Sequence, residues 1–167
     1  MASAARSRGP DSSGAQAGDD PRCVVEKLTE NLELPTGFAF APDGRIFILE
    51  KAGRIKIWKD GLLYGQPLLD IRDDVNDFVD RGLIGIAVDP QFARTGHVYH
   101  PPGAEKDTDA PRTGRIVRYT VAGDVARPNS AQVILDDFSS DTQQHSVGSL
   151  RFAPDGALFA SFGDGAL

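Results

Sequence analysis

A repeated word constrains this chain more than anything else in it. Gly37-Phe-Ala-Phe-Ala-Pro-Asp-Gly44 followed by Arg45-Ile-Phe-Ile-Leu-Glu50 returns as Gly148-Ser-Leu-Arg-Phe-Ala-Pro-Asp-Gly156 followed by Ala157-Leu-Phe-Ala-Ser-Phe162. A third version lies between them: Gly85-Ile-Ala-Val-Asp-Pro90, with a longer turn, Gln91-Phe-Ala-Arg-Thr-Gly96, before His97-Val-Tyr99. In the first and last copies Pro presets φ for the turn, and Asp-Gly supplies the side-chain acceptor and the positive φ that close a hairpin. Aligned on Pro42, Pro90 and Pro154, the copies stand 48 and 64 residues apart. A period of that size, with several short strands in each unit, indicates repeated small sheets.

The texture agrees. From Val24 onward short β-branched or aromatic runs alternate with Gly, Pro and Asp, and no helix-length amphipathic segment competes. The fold class is therefore all-β, and four strands per repeat point to propeller blades. The first blade reads 37–41, 45–51, 54–59 and 67–71; the second reads 82–88, 97–100, 115–120 and 132–136. The third has only 148–152 and 157–162. About two and a half blades cannot close a ring, so the sequence is expected to be the front of a longer protein, encoded beyond the Leu167 codon.

Composition narrows the function classes. Against 24 Asp+Glu stand 18 Lys+Arg, a net charge of −6, so no extended phosphate-binding surface is expected and nucleic acid is not an expected partner. No apolar run approaches the ~20 residues needed to span a bilayer, and no membrane span is expected. Met1 to Arg22 contains no Leu, Ile, Val or aromatic residue, which reads as a disordered tail over residues 1–23, with the domain over 24–167. The same stretch lacks the apolar core of a secretory signal. Cys23 is the one cysteine; it allows no intrachain disulfide and reads as an incidental thiol.

Leu34-Pro-Thr-Gly-Phe-Ala-Phe-Ala-Pro-Asp-Gly44, Asp80-Arg-Gly-Leu-Ile-Gly-Ile-Ala-Val-Asp-Pro90, His145-Ser-Val-Gly-Ser-Leu-Arg-Phe-Ala-Pro-Asp-Gly156 and Phe162-Gly-Asp-Gly165, in this order, resemble the soluble glucose/sorbosone dehydrogenase family. The likeness runs from about residue 30 to Leu167. It implies a six-bladed β-propeller that binds pyrroloquinoline quinone and Ca2+ in a central funnel and oxidises a sugar or sugar-derived aldehyde. His145 falls where the family places its catalytic base, and a neutral imidazole has the pKa that general-base work favours. Asp164 falls on the acidic residue that orients this histidine; a carboxylate accepting one ring N–H leaves the other nitrogen free as base. Asp80 falls where some members carry a polar residue beside the sugar pocket.

The resemblance also sets limits. The family's calcium ligands and the Arg, Asn and Lys residues that grip the quinone lie in later blades, so no residue here is assigned to metal or cofactor. The chain by itself is expected to be inactive, and its electron acceptor is not identified. Family members are exported as a rule. Two alternatives share such words: a non-catalytic binding propeller of the hedgehog-interacting type, and a calcium-dependent lactonase-like propeller.

Other residues have plain readings. His97 and His100 are expected at solvent or in a turn. Asp70, Asp73, Asp74, Asp77 and Asp80 lack the Gly and terminal Glu of a calcium loop and fit a solvated connection between blades. Lys51, Arg54, Lys56 and Lys59 alternate with apolar residues and read as a basic, solvent-facing sheet edge. Phe38, Phe40, Phe47, Phe152, Phe159 and Phe162 are expected to fill space between blades.

Overall fold

Ile46-Phe-Ile-Leu-Glu50 and Arg54-Ile-Lys-Ile-Trp-Lys59 are short, β-branched and aromatic, and joined by a turn ending in Gly53 at φ 116°, which is why they pair as a hairpin. The computed structural model describes residues 25–101, 113–139 and 147–163. In the first sheet β1 (Pro35–Phe40), β2 (Ile46–Glu50) and β3 (Arg54–Lys59) run antiparallel in that order. The outer strand expected over 67–71 is divided in two. A tight turn at Asp60-Gly61, both at positive φ, sends β4 (Leu62–Leu63) back along Trp58 and Lys59, which leaves β5 (Leu69–Asp70) only Arg54 and Ile55 to pair with.

The second sheet repeats the plan. β6 (Ala87–Val88) leads through α1 (Phe92–Thr95) to β7 (His97–His100), β8 (Thr113–Ala122), β9 (Val125–Ala126) and β10 (Gln132–Ser139), in the order β6-β7-β8-β10 with β9 paired to β8. The lengthened turn of the middle repeat becomes one helical turn, closed by Gly96 at φ 65°. Only the end of the expected 82–88 strand joins the ladder. The residues before it bond to the first sheet instead: Leu83 N–H donates to the Lys51 carbonyl (2.9 Å) and Thr36 Oγ1 to the Leu83 carbonyl (2.6 Å). The third sheet is the hairpin β11 (Val147–Phe152) and β12 (Leu158–Phe162). The architecture is thus two propeller blades and the inner half of a third.

Period-two alternation explains the core. On the face of the first sheet turned to the second, Phe47, Leu49, Ile55 and Ile57 are fully buried and continue into Leu83, Ile86, Phe92 and Val98. Leu150 of the third sheet is likewise fully buried, with Ala87 and Ile116. A clamp at the turn end joins the first two sheets. Arg45 is buried, ion-paired to Asp43 (2.6 Å) and Asp124 (3.1 Å), and donates to the Gly123 carbonyl (2.5 Å). Its guanidinium lies 5.2 Å from the Phe47 ring centroid and 5.6 Å from that of Phe92. Hydrogen bonds from Arg45 hold the Asp43 carboxyl below the ordinary carboxylate range. Further out, Ala126 N–H donates to the Leu68 carbonyl (2.7 Å).

Three expectations are corrected here. The row Lys51, Arg54, Lys56 and Lys59 does not mark a sheet edge, because β3 is an interior strand paired on both sides; Arg54 is largely covered and ion-paired to Glu50 at 2.7 Å and Glu33 at 2.5 Å. His100 is fully buried, its ring stacked on Tyr119 at 5.4 Å between centroids and 12° between planes. Of the phenylalanines, Phe47 fills space between sheets as expected, but Phe38 (59%), Phe40 (69%) and Phe159 (63%) are exposed on the outer faces of the arc. The tail and Cys23 lie outside the described residues.

Candidate functional site

The innermost strand of each sheet is its least bulky where the sheets converge. An ideal Cβ on Gly85 would stand 2.5 Å from the Gly148 carbonyl oxygen, and one on Gly37 would stand 3.7 Å from that of Ile84. Gly85 is therefore required by backbone meeting backbone near the axis, whereas a Cβ on Gly37 would make an ordinary contact. Side by side, β1, β6 and β11 line a trough of about 560 Å³. That volume suits a small organic molecule. Its wall is mostly backbone and apolar side chains, with Thr36 and Ser149 as hydroxyls and Arg151 as the one cation.

Charge gathers at the leading end of these strands, opposite the Pro-Asp-Gly turns. Glu50 is buried, accepts the Glu33 N–H (2.8 Å) and pairs with Arg54 as a contact of charges without hydrogen-bond alignment. Lys51 Nζ donates to the Val79 carbonyl (2.5 Å). Gly82, at φ 135°, presses against the Lys51 carbonyl, where a Cβ would come within 2.7 Å. Arg81 beside it is fully buried. Burial and the neighbouring Arg115 push the His100 imidazole down to about 3, so it is neutral at physiological pH.

Sequence reasoning missed Glu50, Arg81 and His100 as buried polar residues and Arg54 as the largely covered partner of Glu50. The one signal was their place: Glu50, Arg54 and His100 are strand-terminal residues, and Arg81 is second in its repeat word.

The expected site residues fall as follows. Asp80 is exposed, in the loop just before Arg81, at the leading end but not in the trough wall. His145 and Asp164 lie outside the described residues. The flanking register is described: Val147 stands opposite Phe162, so β11 begins where β12 ends. His97 sits at the turn end, with Nδ1 3.4 Å from Asp89 Oδ2. In the acidic run, Asp70 is paired to Arg72 (2.8 Å). Among the described residues no group of three or more His, Cys, Asp or Glu is placed to hold a metal ion, and no helix is long and apolar enough to cross a membrane. These residues do not fit a calcium site. For a quinone bearing several carboxylates they offer a wall with one cation, without the clamp such a ligand requires.

Inner strands around an axial trough, with polar residues gathered at one rim, define a propeller of the funnel-bearing kind. The chain belongs to the Glucose / Sorbosone dehydrogenase family, whose model matches residues 32–167. Over 158 residues it is 32% identical to Hedgehog-interacting protein of Homo sapiens, covering 84% of this chain and 22% of that protein. Among solved structures, the putative oxidoreductase (glucose dehydrogenase) of Thermus thermophilus superposes with a TM-score of 0.71 at 28% identity, over 83% of this chain and 40% of that one. The PQQ-bound aldose sugar dehydrogenase of Streptomyces coelicolor shares the fold, with a TM-score of 0.69 at 22% identity, over 86% of this chain and 42% of that one. The chain thus spans about a fifth to two-fifths of the length of these relatives.

Proposed function

We propose that this chain supplies the leading blades of a quinoprotein that oxidises the CH–OH group of an aldose-type sugar, with pyrroloquinoline quinone as hydride acceptor and Ca2+ as its anchor. The observation that carries the reading is the axial trough, built from the repeat's inner strands in a chain of this family. Bound quinone would supply the hydride-accepting chemistry. This chain's part is to shape the wall and to present His145 as the base that accepts the sugar hydroxyl proton, with Asp164 holding its tautomer. Val147 and Phe162, which lie two residues from these positions in the sequence, stand opposite each other in one hairpin, and this supports the reading. Asp80, exposed in the loop before Arg81, would offer the sugar a polar group.

The test is reconstitution with quinone and Ca2+ followed by dye-linked turnover on aldoses. In the complete propeller, His145→Gln should abolish turnover while quinone binding persists. Quinone-independent hydrolysis of a lactone would favour the lactonase-like reading instead.

The likeness to Hedgehog-interacting protein favours a second reading, a propeller that binds a protein partner without catalysis. It predicts no turnover in either form and partner capture indifferent to His145→Gln.

A further inference from the structure

Where the first and last repeats turn on Pro-Asp-Gly, the middle one inserts Gln91-Phe-Ala-Arg-Thr-Gly96, and this extra turn forms one wall of a second groove of about 520 Å³. Asp43 and Arg45 of the first repeat, with Gly123 and Arg127 after β8, line the rest. The groove shares no lining residue with the axial trough. Its walls are fixed to one another. Gly96 approaches the second sheet so closely that a Cβ would stand 2.6 Å from the Val121 carbonyl oxygen, and its own carbonyl accepts the Val121 N–H (2.8 Å). Arg45 bridges Asp43 to Asp124 and the Gly123 carbonyl. The Arg127 backbone is tied at both of its groups, the N–H donating to the Thr120 carbonyl (2.8 Å) and the carbonyl accepting from Ser130 Oγ (2.8 Å).

The charges held in this frame do not cancel. Asp43 and Asp124 are both paired with Arg45, and Arg45 first, then Lys59, lower the pKa of the Asp43 carboxyl. Two carboxylates are thus met by two cations. Arg94 and Arg127 are left over: Arg94 donates to the neutral Gln91 side chain, and Arg127 is exposed with no ion-pair partner among the described residues. In a chain of net charge −6 this surplus is local. We propose that the groove binds a small molecule carrying a phosphate monoester, its oxygens held between the Arg94 and Arg127 guanidinium groups. Each guanidinium is a planar fork of donors that meets phosphate oxygens two at a time, and the two positive charges balance a dianion. The volume leaves room beside the phosphate for an organic body of sugar size.

Isothermal titration calorimetry of the full chain with glucose 6-phosphate and with inorganic phosphate tests this, without any need for turnover. The ester should bind saturably at one site per chain, more tightly than inorganic phosphate and more weakly as ionic strength rises. Arg94→Gln and Arg127→Gln should each weaken it about tenfold. Both side chains are exposed, so the melting temperature without ligand should hold. Lys56→Gln, outside the groove, should bind as the wild type does. Absence of saturable binding overturns the proposal. So do binding that survives the loss of both arginines, binding that Lys56→Gln weakens equally, and inorganic phosphate that binds as tightly as the ester.

Discussion

At the scale of single residues, glycines do two different jobs in this chain. Gly44 lies at φ 85° with open space around it, whereas Gly85 has an ordinary φ and the Gly148 carbonyl 2.5 Å from its would-be Cβ. Gly44→Ala should therefore cost only the left-handed backbone, about 1 kcal/mol. Gly85→Ala must push two strands apart at the axis and should cost more, about 2 kcal/mol of overpacking, with lost trough volume. Chemical denaturation of both variants reads the difference. His100 gives a second residue-scale prediction. Folded, its pKa is about 3; unfolded, it returns to 6.5. Its neutral form is fully accommodated above 6.5, and stability falls as pH drops from there towards 3, because the unfolded chain binds the proton first. The slope from this residue alone approaches about 1.4 kcal/mol per pH unit. His100→Phe should lose that component, read as the difference between the two stability–pH curves.

At the scale of elements, β3 separates what covers from what is covered. Ile57 is fully buried between the sheets, while Lys56 next to it points away and bonds a loop carbonyl. Ile57→Ala should cost about 3 kcal/mol in urea unfolding, and Lys56→Ala less than about 0.5 kcal/mol. The hairpins were legible because Ala-Pro-Asp-Gly fixes a turn by local chemistry, and β7 falls on His97–His100 as read from its pattern. What was not legible depends on partners distant in sequence. The charges of β3 read as an edge because nothing local reveals that β4 and β5 share its far side. His100 read as exposed because Pro101-Pro102 is turn chemistry, yet it is buried against Tyr119 of another strand, with the charge of Arg115 near it. The close approach at the axis follows from Gly85, but the burial of Glu50 and Arg81 and the largely covered Arg54 beside Glu50 depend on contacts distant in sequence.

At the scale of the whole molecule, catalysis is expected of a closed ring. The 167-residue chain, assayed alone with quinone and Ca2+, should show no detectable sugar oxidation, since the described lining has one cation and no oxygen cluster for a metal. In the complete propeller, His145→Gln should lower kcat by about 100-fold or more, measured against an unchanged quinone titration. The Arg45 clamp reaches beyond equilibrium. Its bonds to Gly123 and Asp124 join residues 78 and 79 apart in sequence, and Ala126 closes on Leu68 beside them. On a ribosome the first blade can form its own ladder early, and Leu83 to Val98 begin to cover its buried face, but the Arg45 end stays unclamped until the turn at Gly123 has emerged. The nascent chain must therefore carry a partly covered, unclamped apolar wall from the end of the first blade until Gly123 and Ala126 are made, the interval in which a chaperone has most to hold.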